Sequence, residues 1–164
     1  MFKLFGKEKK ESNVIMSPVN GKCIDLSLVN DKVFAERMMG DGVAFVFEDD
    51  TVYSPCAGTV ATIAKTAHAI AVKNKDDVEI LIHIGVNTVS LKGQGFEVLV
   101  KEKQKVKLGE PLVRINRSFM QEKSVDLTTP MIVTNGGDYN LEFKNISQSV
   151  TKSDSEIIAY RKND

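Results

Sequence analysis

The chain offers few of the residues on which catalysis usually runs. It has two cysteines, Cys23 and Cys56, and two histidines, His68 and His83. The cysteines are far apart and form no CxxC unit, so they suggest no disulfide framework, and a reduced cytoplasmic setting is expected. No stretch reaches the ~20 apolar residues of a membrane-spanning helix. Charge of either sign is not in excess: Lys plus Arg and Asp plus Glu both number 22. A balanced chain has no global attraction to nucleic acid or to an anionic membrane, so any steering must come from local patches. GxxxxGK[ST], GxGxxG after a strand, and GxSxG are all missing. If phosphate is handled, it arrives on a partner and not on a nucleotide.

With 164 residues, 42% of them hydrophobic and 27% charged, the chain is the size of one ordinary globular domain. Residues 1–13 hold a short apolar group, Met1, Phe2, Leu4 and Phe5, and then the charged run from Lys7 to Glu11. This reads as a flexible tail with, at most, weak affinity for a membrane surface. Residues 14–164 form the domain.

No long segment shows a 3.6-residue period. The pattern instead is of short β-branched runs separated by turn residues, with strands expected at 43–47, 51–53, 58–63, 69–72, 78–84, 96–100, 111–115, 131–134, 141–143 and 157–160. Asn20-Gly21 reads as a tight hairpin. Short helical turns are expected only at 88–91 and 118–125. The fold class is all-β, an antiparallel sandwich or barrel.

The two histidines flank the turn at 74–77. If that turn closes a hairpin with Lys73 opposite Val78, Ile70 meets Leu81 and His68 meets His83. Val78, Ile80, Ile82 and Ile84 then take the core face. His68, Ile70, Val72, Leu81 and His83 take the other. Two imidazoles in register suggest either a metal site or histidine acting as a covalent nucleophile. Zinc requires a third protein ligand, and no HxH or HExxH is present. Neutral imidazole is a competent nucleophile near pH 7, and the second ring is placed to donate to phosphoryl oxygens.

Residues 78–96, which contain Ile82-His83-Ile84-Gly85-Val86-Asn87-Thr88-Val89 and Lys92-Gly93-Gln94-Gly95-Phe96, resemble the signature of glucose-type IIA domains of the bacterial sugar phosphotransferase system. Residues 65–70, 31–42, 53–60, 109–112 and 129–135 are similar to further landmarks of that family, so the resemblance spans about residues 14–160. It implies an antiparallel β-sandwich of Greek-key or jelly-roll character with one or two short helical turns. It also implies a cytoplasmic, monomeric phosphocarrier without a cofactor or resident metal.

In the implied mechanism, phospho-HPr is the donor and a IIB domain of a sugar permease the acceptor. Nε2 of His83 takes the phosphoryl group, with Nδ1 held by a backbone carbonyl, that of Gly85. His68 is the auxiliary histidine and Thr66 orients it. Val33, Phe34, Met39 and Leu81 supply a shallow apolar docking patch, and Asp31 rims it. Asn87 stands where the family commonly has aspartate, and Ala64 and Leu81 stand where phenylalanines often line the pocket. With no permease or IIB segment in the chain, a free-standing carrier is expected. A regulatory binding module of the same fold is the alternative from another class, and a zinc hydrolase is a further one.

Overall fold

The computed structural model describes residues 13–164. The expected tail and its membrane affinity therefore lie outside the described residues, except for Asn13, whose carbonyl accepts from the Tyr160 amide.

The strands are β1 (Val14–Met16), β2 (Gly21–Asp25), β3 (Asp41–Phe47), β4 (Thr51–Tyr53), β5 (Gly58–Ile63), β6 (Ala69–Asn74) and β7 (Glu79–His83). They continue as β8 (Phe96–Val98), β9 (Lys105–Val106), β10 (Pro111–Ile115), β11 (Thr129–Val133), β12 (Tyr139–Phe143), β13 (Ser149–Val150) and β14 (Glu156–Lys162). An eight-stranded sheet runs in the order β13-β2-β3-β11-β7-β6-β5-β9. Two three-stranded sheets, β1-β14-β12 and β4-β10-β8, face it. Every paired strand is antiparallel.

The main core fills the space between the large sheet and the two small ones. Phe45, Ile70, Ile80, Ile82 and Met131 point into it from the large sheet; Leu112, Ile115 and Ile158 come from the other side. A second, smaller apolar cluster lies on the outer face of the large sheet. There Ala44 and Ile132, with Leu81 beside them, are covered by Leu26, Val29 and Phe34 from the excursion between β2 and β3. This cover is what gives the outer face a site. Both cysteines are buried free thiols, and burial pushes each thiol up to about 12, so neither ionises near neutral pH.

Two local expectations are corrected. Asn20-Gly21 is not a hairpin turn, because β1 pairs with β14 while β2 pairs with β3 and β13. Gly21 serves close backbone approach instead: a Cβ there would stand 2.4 Å from the Val46 carbonyl oxygen. The β6–β7 hairpin is slipped by one residue from the expected register, with Lys73 opposite Glu79 and Ile70 opposite Ile82. Asn74 causes the slip. It belongs to the strand, bonding the Val78 carbonyl through its amide, and its side-chain oxygen accepts from the amides of Asp76 and Val78. The loop is therefore Lys75-Asp76-Asp77, closed by Asp77 at φ 63°. Ile70 and Val72 consequently face the core, not the outer side where they were expected.

The expected turn at 88–91 is a 3-10 turn, and that at 118–125 is a helix over Arg117–Glu122. The excursion adds two elements that periodicity does not reveal: a 3-10 turn at Leu26–Leu28 and a helix at Lys32–Ala35. Each is opened by an aspartate. Asp25 accepts from the Ser27 amide and Asp31 from the Val33 amide, the caps that orphan amides at a helix start require.

Candidate phosphoryl-acceptor site

His83 ends β7 on the outer face of the large sheet, opposite Ala69 of β6. His68 precedes that strand and does not stand directly across from His83. Strict alternation from Ala69 would send its side chain into the core. Just before His68, Ala67 is left-handed at φ 61°, the regular strand does not extend to His68, and its imidazole lies on the outer side against His83. The two rings then meet edge to face, with centroids 4.8 Å apart. The pairing expected from sequence is thus realised by a different backbone route.

Each ring has a second anchor. Nδ1 of His83 lies 2.9 Å from the Gly85 carbonyl oxygen. A carbonyl only accepts, so Nδ1 carries the proton and the Nε2 lone pair is free. Nδ1 of His68 lies 2.7 Å from the Thr66 hydroxyl. With the hydroxyl donating, His68 keeps its proton on Nε2, the atom suited to hydrogen-bond an incoming anion.

The Gly85 carbonyl is aimed by a backbone at φ +84°, and a Cβ at this position would lie 2.6 Å from Cγ2 of Thr88. The turn is pinned from both directions: Val86 donates its amide to the Asp126 carbonyl, and the Thr88 hydroxyl donates to the Ile84 carbonyl. Asn87 follows in the left-handed region at φ 62°, which asparagine tolerates better than most residues, and it is exposed.

Phe34 differs from its expected place. It is buried and leans on His83, with ring centroids 4.8 Å apart at an interplanar angle of 55°. It is a wall of the site and not part of the surface. Leu81 is half-buried in the outer-face cluster beneath it. The excursion between β2 and β3 exposes Val33 and Met39, both expected, and also Leu28 and Met38. Residue type alone gave no signal for the Phe34–His83 contact; it arises from the cap at Asp31, which starts the helix that turns Phe34 inward.

Burial lowers the pKa of both histidines. For His83 the cost of desolvating the cation leads, opposed by the bond to Gly85; nearby His68 lowers it further and Asp31 raises it. For His68 desolvation again outweighs a backbone bond to Thr66. Both imidazoles are therefore neutral at pH 7. In an NMR titration their ring protons are expected to shift with midpoints below 6.5. The unfolded chain binds protons at pH values where the folded one does not, so these two groups make stability fall as pH drops below 6.5 toward the folded midpoints. Midpoints at or above 6.5 would contradict the buried, neutral pair.

No third histidine, cysteine or carboxylate joins the pair in a group able to hold a metal ion among the described residues. No helix among them is long and apolar enough to cross a membrane.

Residues 13–139 match the family model described as phosphoenolpyruvate-dependent sugar phosphotransferase system, EIIA 1. The chain belongs to this family. It is 46% identical over 129 residues to the PTS system glucoside-specific EIICBA component of Staphylococcus carnosus, covering 79% of this chain and 19% of that protein. The glucose-specific EIICBA component of the same organism is 43% identical over 122 residues, covering 74% of this chain and 18% of that protein. The chain thus spans about a fifth of the length of these relatives. Among solved structures, glucose permease IIA from Mycoplasma capricolum superposes with a TM-score of 0.81 at 37% identity, over 88% of this chain and 94% of the other. The expected β-rich, antiparallel, glucose-type IIA fold is borne out.

Proposed function

We propose that this IIA domain is a cytoplasmic phosphocarrier whose acceptor atom is Nε2 of His83. The observation that carries the reading is the bond from Nδ1 of His83 to the Gly85 carbonyl. It fixes one tautomer and leaves one nucleophilic nitrogen, on a ring that burial keeps neutral. The donor is phospho-HPr and the acceptor a IIB domain of a sugar permease, in keeping with the family.

In the transfer, the Nε2 lone pair forms a bond to phosphorus as the donor's P–N bond breaks, and that electron pair returns to the donor imidazole. His83 becomes a phosphoimidazole with a cationic ring, and the Gly85 carbonyl stabilises the Nδ1 proton that it carries. His68, oriented by Thr66, donates to a phosphoryl oxygen. Such charge-assisted bonds are stronger than neutral ones. Positioning supplies much of the remaining advantage. Val33 and Met39, with Leu28 and Met38, form the apolar docking surface, while Asp31 faces a basic donor. Phe34 and Leu81 form its floor, and exposed Asn87 places an uncharged side chain at the rim.

The test is labelling by phospho-HPr with the modified residue mapped. Acid-labile, base-stable label on His83 is expected. Label confined to His68 would reverse the roles. His68→Ala is expected to accept from the donor and to pass the group to a IIB domain about 100-fold more slowly, since the oriented donor is lost. Equal transfer by wild type and variant would remove His68 from the mechanism. A chain that takes no label while a known IIA domain does would instead fit a regulatory module that uses the exposed patch for binding alone.

A further inference from the structure

The helix Lys32–Ala35 closes in an unusual manner. The Arg37 amide bonds the Phe34 carbonyl at 2.9 Å, and the Met38 amide bonds the Val33 carbonyl at 3.0 Å. This double closure requires the residue between, Arg37, to be left-handed, and it is, at φ 61°. Glycine is the usual occupant, because a Cβ is sterically disfavoured there. An arginine at such a position is locally unfavourable, so its side chain must compensate elsewhere.

That side chain reaches three points. Nε donates to Oδ1 of Asp41 at 2.7 Å, Nη2 reaches Oδ1 of Asp25 at 3.4 Å, and Nη1 donates to the Ala35 carbonyl at 3.4 Å. Asp25 is the last residue of β2 and Asp41 the first of β3. One guanidinium therefore ties both ends of the excursion to the end of the helix that carries Phe34.

We propose that Arg37 is a positioning residue for the acceptor histidine: it clamps Asp25 to Asp41, holds the excursion down on the sheet, and so keeps the Phe34 ring against His83. The inference deepens the phosphocarrier reading and rests on it for its consequence in transfer; the clamp itself does not. Both ion pairs are partly exposed, so each alone contributes little. Their joint effect is on local opening of the excursion and not on global unfolding. The groups whose charges act on His83 are His68 and Asp31. A change at His83 on loss of Arg37 thus travels through Phe34 and the water it excludes.

The test uses Arg37→Met, which keeps an apolar stem of similar length but deletes the donors, beside Arg37→Lys. In Arg37→Met, amide hydrogen exchange at Ala35 and Glu36 is expected to quicken about threefold to tenfold while that of β6 and β7 stays unchanged. The His83 titration midpoint is expected to rise toward 6.5 as its ring gains water. Lysine restores part of both. Raising salt from about 0.05 M to about 0.5 M is expected to quicken the same amides in the wild type and not in Arg37→Met. Asp41→Asn, which removes the charge yet keeps an acceptor for the Gly42 amide, is expected to give the same local pattern. Unchanged exchange and an unchanged His83 midpoint in Arg37→Met overturn the clamp. These readouts decide it even if no phosphoryl group reaches His83. Given acceptance, the variant is expected to lose kcat more than KM, because the donor still finds the apolar surface.

Discussion

His83→Ala is expected to reduce phosphoryl labelling by phospho-HPr to background while the fold is retained. No other side chain of the site offers an equivalent atom. His68 has Nδ1 bonded to Thr66 and sits more deeply in the surface than His83. The structural cost of the substitution is small. His83 is half-buried on the outer face, and the inward neighbours Ile82 and Ile84 that hold β7 in the core are untouched. Loss of the ring removes its contact with Phe34 and its bond to Gly85, a few kcal/mol at most. The check is labelling beside a two-dimensional NMR spectrum of the same sample. Wild-type labelling of a folded His83→Ala protein would end the present assignment.

The second large effect is expected at a residue with no side chain. Gly85→Ala places a methyl 2.6 Å from Cγ2 of Thr88 and 3.1 Å from the Asp126 carbonyl, in a backbone region that alanine disfavours. The turn cannot yield freely, since the Asp126 carbonyl is bonded by the Val86 amide and the Ile84 carbonyl by Thr88. Strain and crowding together are expected to cost about 2–4 kcal/mol of stability. The Gly85 carbonyl is then displaced from Nδ1, the His83 tautomer is no longer fixed, and acceptance is expected to fall about 100-fold even below the melting temperature. Denaturant titration and labelling read the two effects separately. A variant that loses stability but labels at the wild-type rate would show that the carbonyl is not needed to prepare Nε2.

Both predictions concern a motif that was legible in the sequence. The alternation Ile80, Ile82, Ile84 against Leu81 and His83 places the histidine on the face opposite the core, and the structure realises this. The strands were legible where β-branched residues alternate. The hairpin register was not, because it depends on one polar side chain: Asn74 looks like a turn residue, yet it pairs as a strand residue and caps the loop from within the ladder. The cover over the outer face was obscured for another reason. A three-residue 3-10 turn and a four-residue helix show no periodicity, so their only marks are the capping aspartates, Asp25 for the turn and Asp31 for the helix. Phe34 and Val33 are adjacent apolar residues in sequence, but the cap sends one inward against His83 and leaves the other exposed.

The placement of β11 between β3 and β7 has a consequence for the order in which the site is made. β6 and β7 are neighbours in the chain and pair across a short loop, so the strand that carries His83 finds its first partner early. The excursion that carries Phe34 belongs to β2 and β3, and that ribbon joins the β6–β7 hairpin only through β11, formed by residues 129–133. Closing so long a loop is entropically slow. During synthesis the acceptor ring is therefore expected to spend an interval in a hairpin without its aromatic wall, exposed to water and protonating at the ordinary histidine pH. The neutral imidazole is a property of the completed sheet, and it is expected to emerge only once β11 has inserted between β3 and β7.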